Sequence, residues 1–298
     1  GASCLYLIPA MSAAALLSTT ERAQFRAPTL QQPANLTGIL KSGKIAVGSV
    51  LSYPSVHIAK TVAACGADWC WIDTEHVAWS PTLLIECIQI INQESGGSMV
   101  PIVRVPNKKA FDYMAWCLDA GAGGVILPHL ETVEEMQAAV DACRFPPVGH
   151  RSFPPFSFIP GVTDTTPAGD SIFTLANKHV AIIPQIETRL GFENLDAIAS
   201  MEQVPCFMVG VADMRMELGL SPALPMATEP EWVKIMEHAS AMAKKHDIPM
   251  LGLALGEEMI KGRIAQGFKL IASAADFPVL AGGLCGAVVE ARAFVESM

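Results

Sequence analysis

The chain has 298 residues, of which 51% are hydrophobic and only 16% charged, with a formal net charge of −9. That composition supplies a large core, and it excludes a nucleic-acid surface because no basic cluster accompanies the acidic balance. The length suits two ordinary domains or one α/β barrel of about 250 residues, and the low charged fraction points to buried subunit interfaces.

Eight cysteines, at positions 4, 65, 70, 87, 117, 143, 206 and 285, form no CxxC pair and no zinc-type spacing with histidine. Most sit in apolar runs, as expected of a reduced, cytoplasmic protein. Residues 1–35 read as an N-terminal arm; Cys4 to Leu17 is apolar but has no basic n-region, so a secretory signal is not expected. No apolar run is read as reaching membrane-spanning length, so no membrane association is expected.

From Lys44 onward the chain alternates between short apolar runs and helical patterns. Strands are predicted at Ile45–Leu51, Trp69–Asp73, Met99–Val105, Gly124–Pro128, Val180–Ile186, Cys206–Val211, Pro249–Ala254 and Phe268–Ser273. Helices are predicted at Ser55–Cys65, Pro81–Gln93, Lys108–Asp119, Val133–Cys143, Leu190–Ala199, Trp232–Lys245, Glu257–Gln266 and Pro278–Glu296. Between positions 144 and 170 six prolines interrupt the rhythm, and a long loop of that kind is expected to be functional. Eight strand–helix units imply one (β/α)8 TIM barrel over residues 36–298 with a C-terminal helical extension. An open doubly wound sheet is the alternative; against it, no nucleotide-binding loop follows the first strand.

In a barrel, chemistry gathers at the C-terminal ends of the strands. The polar residues there are Asp73, Glu75 and His76, then Arg104, His129, Gln185 with Glu187, Asp213, and Asp276. Glu187 and Asp213 come from adjacent strands, and two carboxylates so placed repel unless a cation lies between them. A hard divalent ion such as Mg2+ is one partner; ion pairs with Arg189 or Arg215 are the other. Arg104 can hold a carboxylate or an enolate oxygen through two donors, or pair structurally with Asp73 or Glu75. His76 has the only ordinary pKa near neutrality in the strand-two group, and Asp73, three residues earlier, could orient it; a cap or a buried ring is the alternative. Gln185 lies two residues before Glu187 and so points the same way, toward a ligand or a metal's water, while His129 is expected at the rim. An Asx turn and a helix cap at Ser80 would be an ordinary reading of the stretch after residue 73.

Several segments together resemble the HpcH/HpaI aldolases: Gly66-Ala67-Asp68-Trp69, Ile72-Asp73-Thr74-Glu75-His76, Val103-Arg104-Val105 and Leu118-Asp119-Ala120-Gly121. Phe145-Pro146-Pro147-Val148-Gly149-His150-Arg151, Pro184-Gln185-Ile186-Glu187-Thr188 and Val209-Gly210-Val211-Ala212-Asp213 complete the set, which spans roughly residues 36–290. The segment from Arg151 to Phe156 looks most like the fungal branch that includes macrophomate synthase. The resemblance implies Mg2+, Mn2+ or Co2+ held by Glu187 and Asp213, and pyruvate or oxaloacetate as a small 2-keto acid ligand. It implies an enolate stabilised by Arg104, a proton-moving pair of His76 and Asp73, and backbone N–H groups of Ala212 and Asp213 on the substrate carboxylate. Asp119 matches an aspartate near a subunit boundary, and a homo-oligomer, usually a hexamer with exchanged C-terminal helices, is implied. The implied activity is retro-aldol cleavage of 4-hydroxy-2-oxo acids or oxaloacetate decarboxylation. Coupling of the enolate to a 2-pyrone and citryl- or malyl-thioester cleavage are the alternatives. Gly210-Val211-Ala212-Asp213 and Arg151-Ser152 depart from the Gly-Pro-Ala-Asp and Arg-Gly of many bacterial members.

Overall fold

The computed structural model describes residues 35–154, 166, 169–222 and 227–298, so the N-terminal arm and much of the 144–170 loop lie outside the described residues. Eight strands run in parallel and close in sequence order: β1 (Ala46–Leu51), β2 (Trp69–Asp73), β3 (Val100–Arg104), β4 (Gly124–Leu127), β5 (Ala181–Ile186), β6 (Phe207–Val209), β7 (Met250–Leu253) and β8 (Phe268–Ala275). The predicted (β/α)8 barrel is therefore the architecture, and all eight strands fall where expected to within two residues at each end.

Helices α1 (Leu36–Lys41), α2 (Val56–Ala63), α3 (Pro81–Glu94), α4 (Phe111–Asp119), α5 (Val133–Cys143) and α6 (Ile172–His179) belong to the first part of the chain. They are followed by α7 (Arg189–Glu193), α8 (Leu195–Ala199), α9 (Val211–Glu217), α10 (Pro230–His246), α11 (Gly256–Ala265) and α12 (Asp276–Glu296). Short side chains start many of them. Ser55, Ser80, Thr132, Ser171 and Thr188 each accept a backbone N–H from the first turn, and Pro81 adds a fixed φ at the start of α3.

Three differences from the expected elements have local causes. Helix α6 was not expected, although Ser171 and Thr174 form a reciprocal cap and Ile172, Leu175, Ala176 and His179 bury one helical face. The predicted Leu190–Ala199 helix is two, broken at Asn194, which sits at ψ 0° and donates to the Glu131 carbonyl. The strand predicted to reach Val211 ends at Val209, and α9 begins at once. The Gly-x-x-x-x-Gly-Lys spacing of Gly38–Lys44 is no phosphate loop: it precedes β1, is mostly helix α1, and Ile45 stands where Ser or Thr is required.

Strand alternation divides the interior in two. Ala46, Val50, Trp69, Trp71, Val100, Ile102, Ile126, Ala181, Ile183, Met208, Leu251 and Leu270 fill the barrel. Leu51, Cys70, Ile72, Val103, Val125, Leu127 and Ile182 face the helices. Leu36 of α1 packs with the inner set. The five buried cysteines, Cys70, Cys87, Cys117, Cys143 and Cys206, behave as core residues. Trp69 donates from Nε1 to the Ala46 carbonyl, and its ring occupies the space that a side chain on Gly48 would need: a Cβ there would lie 2.3 Å from the ring.

One expectation fails outright. Helix α12 has 21 residues, and an 18-residue stretch of it has a mean hydropathy of 1.5, long and apolar enough by those measures to cross a membrane; none of its residues is buried. Gly282, Gly283 and Gly286 divide this stretch into shorter apolar runs, none of which reaches that length alone.

Because the Trp69 ring cannot retreat from the packed interior, Gly48→Ala should cost about 1–3 kcal/mol by overpacking. Urea unfolding followed by tryptophan emission measures this; an unchanged midpoint would mean that the inner layer repacks freely.

Candidate active site

The alternation that buries Trp69 and Trp71 also turns Asp73 inward at the mouth, and the same parity turns Arg104, Gln185 and Glu187 inward. All four are buried. The registers align Asp73 with Arg104, and Ile186 with Val209.

Arg104 is held by a fork. Its Nε and Nη2 donate to the two Asp73 oxygens at 2.9 and 2.7 Å. Its Nη1 lies 2.9 Å from Glu75 Oε2, an ion-pair contact, and the guanidinium stacks 4.6 Å above the Trp71 ring. Thr74 donates from Oγ1 and from its backbone N to the Arg104 carbonyl. Asp73 Oδ1 also accepts the Glu75 N–H, closing an Asx turn, and the Asp73 carbonyl accepts from Trp79 Nε1. The ordinary features expected of this stretch, the Asx turn and the Ser80 cap, are thus present together with the charged cluster.

The expected pairing of His76 with Asp73 is not formed. Both Asp73 oxygens are taken by the guanidinium, a stronger partner than a neutral ring. The His76 side chain is 64% exposed, with Nε2 3.7 Å from Glu75 Oε2. The structural pairing of Arg104 with Asp73 and Glu75, left open by the sequence, is what the fold contains.

Glu187 is enclosed on every side. Oε1 accepts the His129 N–H at 2.7 Å, and Oε2 accepts Gln185 Nε2 at 2.5 Å. A Cβ on Gly210 would stand 2.0 Å from Oε2, so only glycine leaves room for the carboxylate. Gln185, expected to reach a ligand, donates its Nε2 to Glu187, and its Oε1 is buried without a partner. Asp213 lies in the first turn of α9 and not at a strand end. It is close enough for its charge to oppose ionisation of Glu187. Neither arginine offered as an alternative partner is there: Arg215 forks onto Glu229, and Arg189 turns to Glu217.

His129 is at the rim as expected, half exposed, with φ at +49°. Its Nδ1 is 3.6 Å from Glu187 Oε1 and its Nε2 4.0 Å from Glu75 Oε1. Ligand atoms of Glu75, His129 and Glu187 all lie within 4.8 Å of one another. Sequence reasoning gave no metal role to Glu75 or His129; their approach to Glu187 comes from convergence of the loops after β2 and β4.

Burial is the main force pushing the Glu75 and Glu187 carboxyls above the usual range. Arg104 and the histidines pull Glu75 back, and the Gln185 and His129 hydrogen bonds pull Glu187 back. Asp73, Glu75, Glu187 and Asp213 outnumber Arg104, so the mouth favours an added cation, and its donors are mostly carboxylate oxygens. The buried, unpartnered Gln185 Oε1 suits a site built for a further group. The residues present therefore fit a hard divalent metal.

Asp276, marked as a strand-end residue, has another task. Its carboxylate accepts from Ser52 N, Ser52 Oγ and Tyr53 N, joining the end of β1 to the start of α12. Asp119 receives Arg151 Nη2 at 2.6 Å, fastening the start of the proline-rich loop to the end of α4. The rest of the expected loop function falls on residues outside those described.

Residues 51–281 match the HpcH/HpaI aldolase/citrate lyase family, more than three quarters of the chain. The chain belongs to this family. A 5-keto-4-deoxy-D-glucarate aldolase from Salmonella arizonae is 30% identical over 244 residues, covering 82% of this chain and 91% of the relative. The crystal structure of macrophomate synthase superposes with a TM-score of 0.84 at 34% identity, covering 95% of this chain and 99% of the other. That of the citrate synthase SbnG gives 0.74 at 25% identity, covering 88% and 99%. The protein is an enzyme of the class II aldolase type, a lyase on a TIM barrel.

A raised carboxyl pKa means that the folded protein binds a proton that the unfolded chain releases. For Glu187 the ordinary value is 4.5. Its contribution is fully present below that value and is lost as pH rises through the raised native value. In metal-free protein, Glu187→Gln should therefore gain stability relative to wild type as pH rises above 4.5. Chemical denaturation in chelator across that range measures the difference; a gap that shrinks with rising pH would overturn the assignment.

Proposed function

We propose that the enzyme is a divalent-metal-dependent carbon–carbon lyase that generates the enolate of pyruvate. The reaction is retro-aldol cleavage of 4-hydroxy-2-oxo acids, decarboxylation of oxaloacetate, or both. The observation that carries this reading is the inward carboxylate cluster of Glu187 and Glu75, with His129, beside a guanidinium already fixed by Asp73. Glu187 and Asp213 would hold Mg2+, Mn2+ or Co2+, with Glu75 and His129 within reach. When bound, such an ion supplies a Lewis acid for the 2-oxo group.

Arg104 spends Nε and one hydrogen of Nη2 on Asp73, so further donors on Nη1 and Nη2 remain for an oxyanion. Held by Asp73 and Glu75, the guanidinium needs no reorganisation as charge develops. The first-turn N–H groups of α9, at Ala212 and Asp213, have no intrahelical acceptor and can receive the substrate carboxylate. His76, exposed at the rim, would move the proton of a 4-hydroxyl group, which only the aldol reaction requires. Gln185 acts through Glu187.

The likeness to macrophomate synthase favours a second reading, capture of the enolate by a 2-pyrone. Thioester cleavage has less support, since no basic groove for a CoA tail adjoins the cluster among the described residues.

The test measures kcat/KM for oxaloacetate decarboxylation and for retro-aldol cleavage, in chelator and with each metal restored. Glu187→Gln and Asp213→Asn should abolish metal dependence with the fold intact. Arg104→Ala should lower both reactions by about 10²–10³-fold, the scale of one lost oxyanion donor. Asp73→Asn should lower both as well, because it loosens the guanidinium. His76→Ala should harm the aldol reaction far more than decarboxylation; equal losses would remove it as the proton carrier.

The uncovered α12, with Phe277, Val279, Leu284, Val289 and Phe294 each at least 60% exposed, supports a homo-oligomer, a hexamer by the family's habit. Its charged residues Asp276, Glu290, Arg292 and Glu296 fit a covering protein surface better than lipid. Light scattering should report an assembly that Val289→Glu weakens; a wild-type monomer at micromolar concentration would contradict this.

A further inference from the structure

Lys108, in the loop after β3, belongs to no motif singled out in the sequence, yet its side chain is among the best-satisfied cations at the barrel mouth. Nζ donates to the His129 carbonyl at 2.7 Å and to Glu131 Oε2 at 2.8 Å, and lies 2.7 Å from Glu135 Oε1. The two glutamates are themselves tied down: the Glu135 carboxylate accepts the Glu131 N–H at Oε2, and the Glu131 backbone carbonyl accepts Asn194 Nδ2. Burial alone would lower the ammonium's pKa, but the hydrogen bonds to Glu131 and Glu135 outweigh it and raise the value, so the group stays charged.

What this clamp grips is the strained residue of the site. His129 has a left-handed backbone at φ +49°, a conformation that a non-glycine residue adopts only when its surroundings impose it. The peptide unit after it is held at both ends, its carbonyl by Lys108 and its N–H, from Leu130, by the Gln185 carbonyl at 3.1 Å. The N–H before it is then aimed at Glu187 Oε1. Without an acceptor-side anchor for the His129 carbonyl, the backbone can relax toward negative φ, and that N–H swings away from Glu187.

We propose that Lys108 is a positioning residue for the metal-binding carboxylate: it locks the β4–α5 loop so that the His129 N–H orients Glu187. The inference rests on the assignment of Glu187 as a ligand, and it adds a residue that touches neither metal nor substrate.

The experiment uses the full-length protein stripped of metal, as wild type, Lys108→Met and Lys108→Arg, with Lys109→Met as a neighbouring control. Hydrogen exchange of the segment 127–131 reads the clamp itself, and Mn2+ titration by calorimetry reads its effect on Glu187. Lys108→Met should speed exchange in that segment and weaken Mn2+ binding by about 10–100-fold, the usual cost of losing an outer partner of a metal ligand. Lys108→Arg, which keeps the charge and several donors, should recover most of both, and Lys109→Met should change neither. Unaltered exchange in Lys108→Met overturns the clamp. Faster exchange with unaltered Mn2+ affinity overturns its role in orienting Glu187. If wild type itself binds no Mn2+, the metal assignment fails and with it the link from clamp to ligand, while exchange still decides whether the clamp exists. Should Lys108→Met not fold, Glu131→Gln, which removes one anchor of the ammonium, must show a smaller change in the same two readouts or the proposal falls.

Discussion

Repulsion among carboxylates at the barrel mouth is the constraint around which the site is arranged. Asp73, Glu75, Glu187 and Asp213 enter one small, largely buried volume, where the charges are weakly screened. One guanidinium answers the first two, and backbone and amide N–H groups answer Glu187. The arrangement leaves a surplus of negative charge facing the space where a cation would sit. A fold assembled for stability alone would have no reason to hold it.

The barrel bears this cost through rigid, local means. Asp73 and Arg104 end their strands and Glu187 follows one, and the inward positions before such groups are bulky and packed, such as Trp69 and Trp71 before Asp73 or Ile183 before Gln185. Two glycines serve packing and not turn geometry: Gly48 yields to an indole within the barrel, and Gly210 yields to the Glu187 carboxylate. Removing either cavity would move a group that cannot move cheaply.

Much of this was legible in the sequence because it follows from period and position. Strand parity alone sets Gln185 and Glu187 on one side, and the order of the strands makes neighbours of Asp73 and Arg104, and of Glu187 and Asp213. What sequence could not decide was competition between partners. Asp73 is only three residues from His76 in sequence but lies across a strand pair from Arg104, and only register shows that the guanidinium reaches it with two hydrogen bonds. The contribution of Glu75 and His129 depends on two loops meeting, and that of Lys108 on a backbone conformation, neither of which leaves a periodic trace. Helix α6 is a different case: its Ser171 cap and apolar spacing are plain in the sequence, but it follows a proline-rich run that opposes helix. In α12 the lack of any buried residue, not the composition, identifies a surface that requires cover.

The junction made by Asp276 gives that surface a second meaning. Its carboxylate gathers three donors from Ser52 and Tyr53, and the Phe277 ring leans on Tyr53 with centroids 6.4 Å apart. The helix consequently departs from the barrel by a stiff joint, at the same end as the charged cluster. A second copy packed on the first turns of α12 would lie at that same end of the barrel. Where such packing favours one arrangement of the joint, linkage requires association and ligand binding to change each other's affinity by the same factor. Dilution would then be a modulator of catalysis.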